Sequence, residues 1–417
     1  MKYILKTIAV VTLLLFMGCG DSLSKPTKDG IKGGELLVNF PASAIKPSLI
    51  QKGLIDENRT VYGYKAYKIS YNTTDEEGNG VKASGLFVIP TGLPTIVNTT
   101  LGLSMVADDH GTIFANREAP SVIAYATGAP YGASIIMTSL GGFATLQPDY
   151  IGFGDSKEHY HPFALKDSLA NSTVDFIKQV KIFAKDNNIK LNNQLFLTGY
   201  SEGGYASLAT LKKIEDEQLS NLKVSMAVPM AGPYALKVMS DAILSQPKLG
   251  VPAFMANIAY AYAKANNEET SSIVNALYAS KLPTLFNGDL DGSKIDPQLT
   301  RDITGSKGLF NQSFLIDYFK NKSNWFKVAT TKNSLHKWAP TTPVRLVHCE
   351  GDDVIPYAIS QLTVGTMNAM GATNVVLVPV EKTLGRNDKV GHVLCGSLAY
   401  SIATTMFAEV RKKTIGY

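Results

Sequence analysis

The chain has 417 residues, of which 45% are hydrophobic and 18% charged, which is the composition of a folded globular protein. Its formal net charge is only +5, and no basic run is interleaved with aromatic residues, so we expect no nucleic acid partner. A chain of this length holds either two domains or one large domain with an insertion.

The N-terminal residues predict an export signal that ends in a lipid-attachment site. A lysine-bearing start leads into a short apolar stretch over residues 8–17, which is too short to span a bilayer comfortably. The stretch runs into Leu-Phe-Met-Gly-Cys, which resembles a bacterial lipobox with Cys19 as the lipidated residue. An ordinary cleaved signal is the alternative, although no A-x-A-like cleavage site is visible. We therefore expect residues 1–18 to be a lipoprotein signal peptide. The mature chain would be an exported periplasmic or cell-surface lipoprotein, held on the membrane through Cys19.

Residues 19–60 are a predicted tether and N-terminal arm, because they are mixed in character and carry several glycines and prolines. Residues 61–71 and 81–89 then alternate between apolar or aromatic and polar side chains. Alternation with a period of two predicts an antiparallel β-hairpin, which we place at the edge of a sheet.

From residue 101 onward the chain repeats the pattern of strand, glycine-rich turn and helix. Strands are predicted at residues 102–107, 143–147, 194–198, 224–228, 344–347 and 375–380. Such alternation predicts a mostly parallel α/β sheet flanked by helices, in which sites form beyond the carboxyl ends of the strands. The alternation stops over residues 234–340, where helix-like sequence predicts an inserted helical cap between two parts of the core, 61–233 and 341–417.

The sequence Gly199-Tyr200-Ser201-Glu202-Gly203-Gly204 lies between a predicted strand and a stretch with helical spacing. A G-x-S-x-G turn in that context is typical of a nucleophile elbow, in which glycines permit close approach and the serine takes a strained backbone conformation. The hydroxyl of Ser201 would then stand clear of the sheet, beside a helix N-terminus that favours developing negative charge. A glycine-rich turn whose serine only caps the helix is the alternative.

A serine nucleophile needs a base and a carboxylate that orients the base, in the chain order serine, acid, histidine. His392 is the one histidine of six that follows the last predicted strand, so we assign it as the base, with helix capping as the alternative. Three carboxylates, Glu350, Asp352 and Asp353, compete in the turn after the strand at 344–347. Asp352 is favoured because it stands four residues before a proline, in a D-x-x-[VI]-P arrangement.

An oxyanion hole needs two backbone N–H groups aimed at the developing alkoxide. One belongs to Glu202, directly after the serine, and the other is expected from the loop after the strand at 102–107. That loop reads His110-Gly111-Thr112, which points to the amide of Thr112. An ordinary loop histidine bonded to backbone is the alternative interpretation of His110.

Together these motifs resemble the secretory lipase branch of the α/β-hydrolases, which includes fungal secreted lipases and many bacterial exported esterases. The matching segments are H-G-T at 110–112, P-D-Y-I-G-F-G-D-S at 148–156, H-P at 161–162, G-Y-S-E-G-G at 199–204 and G-D-D-V-I-P at 351–356. The resemblance implies an α/β-hydrolase fold with a helical lid between the sixth and seventh strands. Two features depart from that branch. Asp108 and Asp109 place charge before His110, which leaves the register of that strand open, and Glu202 replaces a more familiar glutamine.

The resemblance implies a serine carboxylic-ester hydrolase, an esterase or lipase, that cleaves a small-molecule or lipid ester through an acyl-enzyme and needs no cofactor. A serine peptidase of the prolyl-oligopeptidase type is a second interpretation, weakened because nothing N-terminal is long enough for a propeller domain. An inactive hydrolase fold that serves as a surface binding protein is a third interpretation, and the filled triad positions argue against it.

Cys349 and Cys395 are candidates for a disulfide, since Cys19 is assigned to lipid attachment. Cys349 stands three residues before Asp352 and Cys395 three residues after His392, so a working triad brings both cysteines into one neighbourhood. The alternative is two separate buried thiols that point apart.

No metal site is predicted. His159-x-His161 has no carboxylate or cysteine partner close at ligand spacing, so we expect a loop contact there. Asn287-x-Asp289-x-Asp291 echoes the start of a calcium loop but lacks the bidentate glutamate, so we expect a turn in the cap.

Overall fold

A computed structural model describes residues 31–51, 55–127 and 135–417 of the chain. The predicted signal peptide and the predicted lipid-attachment residue Cys19 lie outside the described residues. Within the described ranges nine strands form one sheet, with the bounds β1 Glu35–Phe40, β2 Gly63–Thr74, β3 Gly80–Thr91, β4 Leu103–Asp109, β5 Ala144–Pro148, β6 Leu191–Tyr200, β7 Val224–Met230, β8 Val344–His348 and β9 Val375–Pro379. The α-helices of the same ranges are α1 Ala42–Gln51, α2 Pro120–Thr127, α3 Lys166–Asp186, α4 Glu202–Asp216, α5 Leu236–Leu244, α6 Pro252–Ala265, α7 Ala276–Ala279, α8 Leu282–Leu285, α9 Gly292–Ile295, α10 Gln312–Lys320, α11 Trp325–Lys332, α12 Tyr357–Ala369, α13 Val380–Leu384 and α14 His392–Ile415.

The strands lie in the order β1-β2-β3-β5-β4-β6-β7-β8-β9. The first four pair antiparallel with their neighbours, and the strands from β5 to β9 in this order pair parallel. The predicted mostly parallel sheet flanked by helices is therefore confirmed. Parallel pairing brings the carboxyl ends of β4, β6, β7 and β8 to one edge of the sheet, where a site can form.

The predicted arm over residues 19–60 is wrong in part, because residues 35–51 belong to the sheet domain. β1 pairs with β2 from Glu35 opposite Lys68 to Phe40 opposite Tyr64, and α1 follows. The rings of Phe40 and Tyr64 stack with their centroids 5.8 Å apart. The hairpin of β2 and β3 was also predicted to form the sheet edge, but β1 takes that place.

The core lies on both faces of the sheet. Successive residues of β6 point to opposite faces and pack into different apolar clusters. Leu195 and Leu197 join the apolar cluster that includes α3 and α4, whereas Phe196 joins the cluster that includes α14. The rings of Phe196 and Phe407 lie 4.6 Å apart, centroid to centroid. Among the described residues α14 alone is long and apolar enough to cross a membrane, but half of its most apolar stretch is buried in the protein. It is the core helix of this face of the sheet.

The segment predicted as a cap, residues 234–340, lies between β7 and β8 and contains the helices α5 to α11. Two buried tyrosines fasten it to the core. Tyr262 of α6 donates a hydrogen bond to the carbonyl of Ala164, at 2.9 Å, and Tyr205 of α4 donates one to the carbonyl of Asn333, at 2.6 Å. These two bonds hold the cap against the segment that precedes α3 and against α4.

Candidate active site

Ser201 lies in the turn between β6 and α4, with φ 61° and ψ −120°. A residue with a side chain seldom takes a positive φ, and such strain persists only where the surroundings enforce it. Here the backbone N–H of Ser201 donates to the carbonyl of Met230 at 2.9 Å, which ties the turn to β7. The strained serine expected of a nucleophile elbow is therefore present.

Two glycines of the motif allow this turn to pack directly on β4. A Cβ atom on Gly203 would lie 1.8 Å from the carbonyl oxygen of Asp109. A Cβ atom on Gly199 would lie 2.4 Å from the carbonyl oxygen of Gly203. Neither position can accept a side chain without moving backbone, so the glycines bring Ser201 close to the end of β4 and the loop that follows it.

The structure brings Ser201, His392 and Asp352 into one hydrogen-bonded line. The Nε2 atom of His392 lies 2.9 Å from Oγ of Ser201, and its Nδ1 atom lies 2.6 Å from Oδ2 of Asp352. Because Nδ1 faces a carboxylate, it carries the proton, and Nε2 is left as an acceptor for the serine hydroxyl. This is the geometry that a nucleophile, its base and an orienting acid require.

Asp352 is the carboxylate that reaches the imidazole. Its Oδ1 atom accepts the backbone N–H groups of Val354 and Ile355 at 2.9 and 2.8 Å. Its Oδ2 atom faces His392 and also Nε2 of His348, at 3.1 Å. Burial opposes ionisation of Asp352, but the hydrogen bonds from the two histidines prevail and hold its pKa well below the usual range. The carboxylate therefore stays charged and aimed at His392.

The two competing carboxylates have other positions. Oδ1 of Asp353 accepts the backbone N–H of His392 at 2.8 Å, so Asp353 holds the start of α14. The Glu350 side chain is exposed, and its backbone N–H donates to Glu381 at 2.8 Å. Asp353 thus caps the N-terminus of α14, and Asp352 is left as the carboxylate that meets the imidazole.

Cys349 and Cys395 form a disulfide, with their Cα atoms 6.0 Å apart. Both residues are fully buried. The bond joins the end of β8 to the first turn of α14, and so connects the loop of Asp352 to the helix that begins at His392. The question left open by the sequence is thereby answered in favour of the bridge.

Ser201, Glu202 and Thr112 line one cavity of about 240 Å³. This places both residues assigned to the oxyanion hole beside the serine. Most of the remaining wall comes from the cap and is apolar, with contributions from Leu236, Met239, Ile243, Val251, Phe254, Met255 and Ile258. The cap therefore covers Ser201 and provides an apolar space next to its hydroxyl.

No family model matches the sequence, and no curated protein matches it. Solved structures do resemble the chain. The protein lpg1103 from Legionella pneumophila has a TM-score of 0.79 and 22% identity, over 91% of this chain and 98% of its own. Its own description as a hydrolase is provisional. A ligand-bound form of the rice cell wall degrading esterase LipA from Xanthomonas oryzae has a TM-score of 0.74 and 21% identity, over 93% of this chain and 98% of its own. Candida antarctica lipase A in its closed state has a TM-score of 0.58 and 16% identity, over 88% of this chain and 78% of its own. The chain has the α/β-hydrolase fold.

The two aspartates before His110 lie within β4 and are fully buried, which settles the register that the sequence left open. Asp108 accepts hydrogen bonds from Tyr400 at 2.8 Å and Gln147 at 2.7 Å, and burial raises its pKa to about 7. Asp109 accepts a hydrogen bond from Thr173 at 2.6 Å, and burial raises its pKa well above the ordinary value. The sheet thus carries two carboxyl groups, directly before the loop that begins at His110, that burial drives toward the neutral form.

The residues of the weaker metal motifs have protein partners. His161 is buried, with Nδ1 2.9 Å from the carbonyl of Ile151 and Nε2 2.9 Å from Glu202. Burial opposes protonation of His161, but the Glu202 carboxylate prevails and raises its pKa. In the cap turn, Asp291 pairs with Arg117. The described ranges contain no group of three side chains able to hold a metal ion.

Two of these contacts were not foreseen from the sequence. The pair of His161 and Glu202 joins residues 41 positions apart, and only the departure from glutamine at position 202 hinted at it. No sequence motif singles out His348, because it is the last residue of β8 and directly precedes the turn that contains Asp352. Its spacing of four residues from Asp352 was the one available signal.

Proposed function

We propose that the protein is a serine carboxylic-ester hydrolase of the esterase or lipase type. The observation that carries the proposal is the hydrogen-bonded line of Ser201, His392 and Asp352, in which Ser201 also lines an apolar cavity. Two of the solved structures with this fold are named as an esterase and a lipase, which supports the proposal.

In the proposed reaction Oγ of Ser201 attacks the ester carbonyl while Nε2 of His392 accepts its proton. The negative charge on the carbonyl oxygen would be stabilised by the backbone N–H groups of Glu202 and Thr112. Collapse of this intermediate breaks the ester bond, and His392 returns the proton to the leaving alcohol. Water then cleaves the acyl-enzyme by the same sequence of steps, and Asp352 stabilises the imidazolium each time it forms.

The cavity favours an ester with an apolar acyl or alcohol group. Its walls next to Ser201 are aliphatic and aromatic, so burying a hydrocarbon chain there is favourable by about 0.8 kcal/mol for each CH₂ group. A small-molecule or lipid ester fits this description, and the proposed chemistry needs no cofactor.

The proposal is tested by turnover of p-nitrophenyl esters of graded chain length beside peptide p-nitroanilides. We expect ester hydrolysis that depends on Ser201 and varies with acyl length, with far slower amide cleavage. Preferential cleavage of peptide amides would favour the peptidase instead, and no turnover of either class by folded protein would favour the inactive binding protein.

We further propose that the protein is exported and anchored through lipid on Cys19. The lipobox-like residues 15–19 support this, as does the disulfide, since such bonds persist in oxidising compartments. Labelled palmitate fed to expressing bacteria should enter the wild-type chain but not Cys19→Ser. Equal labelling of both chains, or of neither, would contradict the anchor.

A further inference from the structure

The Oδ2 atom of Asp352 has two imidazole neighbours. His392 lies 2.6 Å away through Nδ1, and His348 lies 3.1 Å away through Nε2. The side chains of His348 and Asp352 are both fully shielded from solvent. His348 is the last residue of β8, four residues before Asp352, whereas His392 is the first residue of α14. Asp352 therefore lies between the last residue of a strand and the proposed base, and contacts both.

The surroundings of His348 define its tautomer. Its Nε2 atom faces two acceptors, Oδ2 of Asp352 and the carbonyl of Ile355, each at 3.1 Å. Nε2 must therefore carry a proton, because two acceptors cannot bond to a bare nitrogen. Its Nδ1 atom lies 2.7 Å from the buried hydroxyl of Ser360, which can donate to it. The result is a chain of hydrogen bonds that runs from Ser360 through His348 to Asp352.

We propose that His348 is a positioning residue of the reaction, which holds Oδ2 of Asp352 in the direction of His392. The inference rests on the proposed function. Two backbone N–H groups of the turn already hold Oδ1 of Asp352. Oδ2 faces His392 and His348, and of these two donors His348 takes no part in the proposed proton transfer. It is anchored on the sheet and braced by Ser360, so it stops the carboxylate from turning about its Cβ–Cγ bond.

Loss of this contact should act on the chemical step rather than on substrate binding. His348 does not itself line the cavity beside Ser201; it contacts the wall through the backbone carbonyl of Ile355, so its replacement removes no side chain from the apolar surface that would bind the ester. A base that is misplaced by a fraction of an ångström lowers the rate of proton transfer, and a displacement of about 1 Å costs on the order of 10²-fold. The expected signature is a lower kcat at nearly constant KM.

Two substitutions separate positioning from packing. His348→Met fills a similar volume but removes the donor, and should lower kcat by about 10- to 100-fold with KM within about twofold of wild type. His348→Gln can place an amide N–H near the position of Nε2, and should restore kcat to within about fivefold of wild type. His336→Met is the matched control, because His336 is also a buried histidine but belongs to the segment after α11. Its kcat should equal that of wild type.

The assay is hydrolysis of one p-nitrophenyl ester, with melting temperature measured for each variant. A glutamine variant that is as impaired as the methionine variant, or a methionine variant as active as wild type, would overturn the positioning role. A fall in melting temperature alone, with kcat unchanged, would overturn it as well. If the wild-type protein neither hydrolyses esters nor reacts at Ser201, the proposed function itself fails. If the wild-type protein is active and only the variants depart from these expectations, the positioning role alone fails.

Discussion

The raised pKa of Asp108, in the strand that leads to the loop of His110 and Thr112, makes a quantitative prediction for the unfolding free energy. Its carboxyl group is fully buried in β4, and burial raises its pKa from 3.8 to about 7. Because the pKa is higher in the folded state, the group stabilises the fold fully below about pH 4, and this contribution is lost as the pH rises through about 7. Between these limits the loss is about 1.4 kcal/mol per pH unit, which amounts to about 3 kcal/mol from pH 5 to pH 8.

The substitution Asp108→Asn removes this titration and can keep both hydrogen bonds. Its amide offers an oxygen to Gln147 and an NH₂ group to the hydroxyl of Tyr400, which can accept. Relative to wild type, the variant should gain about 3 kcal/mol of unfolding free energy between pH 5 and pH 8, measured by urea denaturation. Asp56→Asn, at an exposed position, should run parallel to wild type. Parallel pH profiles of Asp108→Asn and wild type would show that burial does not raise the pKa of Asp108.

Three further predictions concern residues that hold or line the site. Replacing Cys349 and Cys395 together by alanine should lower the unfolding free energy by about 4 kcal/mol in urea, since the bond closes a separation of 46 residues; an unchanged value would contradict this. Met239→Trp should reduce hydrolysis of long-chain p-nitrophenyl esters more than that of the acetate, because Met239 lines the cavity, and an equal effect on both would show that the acyl group lies elsewhere. Gly203→Ala should lower both the melting temperature and kcat, because its Cβ atom would meet backbone at 1.8 Å, whereas Gly365→Ala has open space inside α12 and should lower neither; equal behaviour of the two variants would contradict the packing of the elbow.

The parts of the fold that sequence predicts best are those coded by local pattern. Apolar runs followed by glycine-rich turns locate β4 to β9 within a few residues, and the loss of that pattern marks the cap. β1 was missed because it is only six residues long and owes its place to pairing with β2, about thirty residues later in the chain. Its neighbours in sequence give no sign of that partner.

The same distinction applies to the site. Ser201 stands in a motif whose spacing carries its geometry, and His392 is the one histidine that follows the last predicted strand, so the sequence identifies both. The choice of Asp352 over Asp353 depends on which carboxylate turns toward the imidazole, and spacing could only favour one. The pair of Glu202 with His161 joins separate elements, which no local pattern records. The spacing of four residues between His348 and Asp352 is local, but spacing alone does not show that the two side chains meet.

If Ser201 is a nucleophile activated by His392, a fluorophosphonate should bond covalently to its Oγ atom. Wild-type protein is treated with a fluorophosphonate, digested and mapped by mass spectrometry, with Ser201→Ala and a heat-unfolded sample treated in parallel. We expect one phosphonylated residue, Ser201, in the folded wild-type protein, and no labelling in either parallel sample. Folded wild-type protein that stays unlabelled at Ser201, or a variant that labels to the same extent, would contradict it.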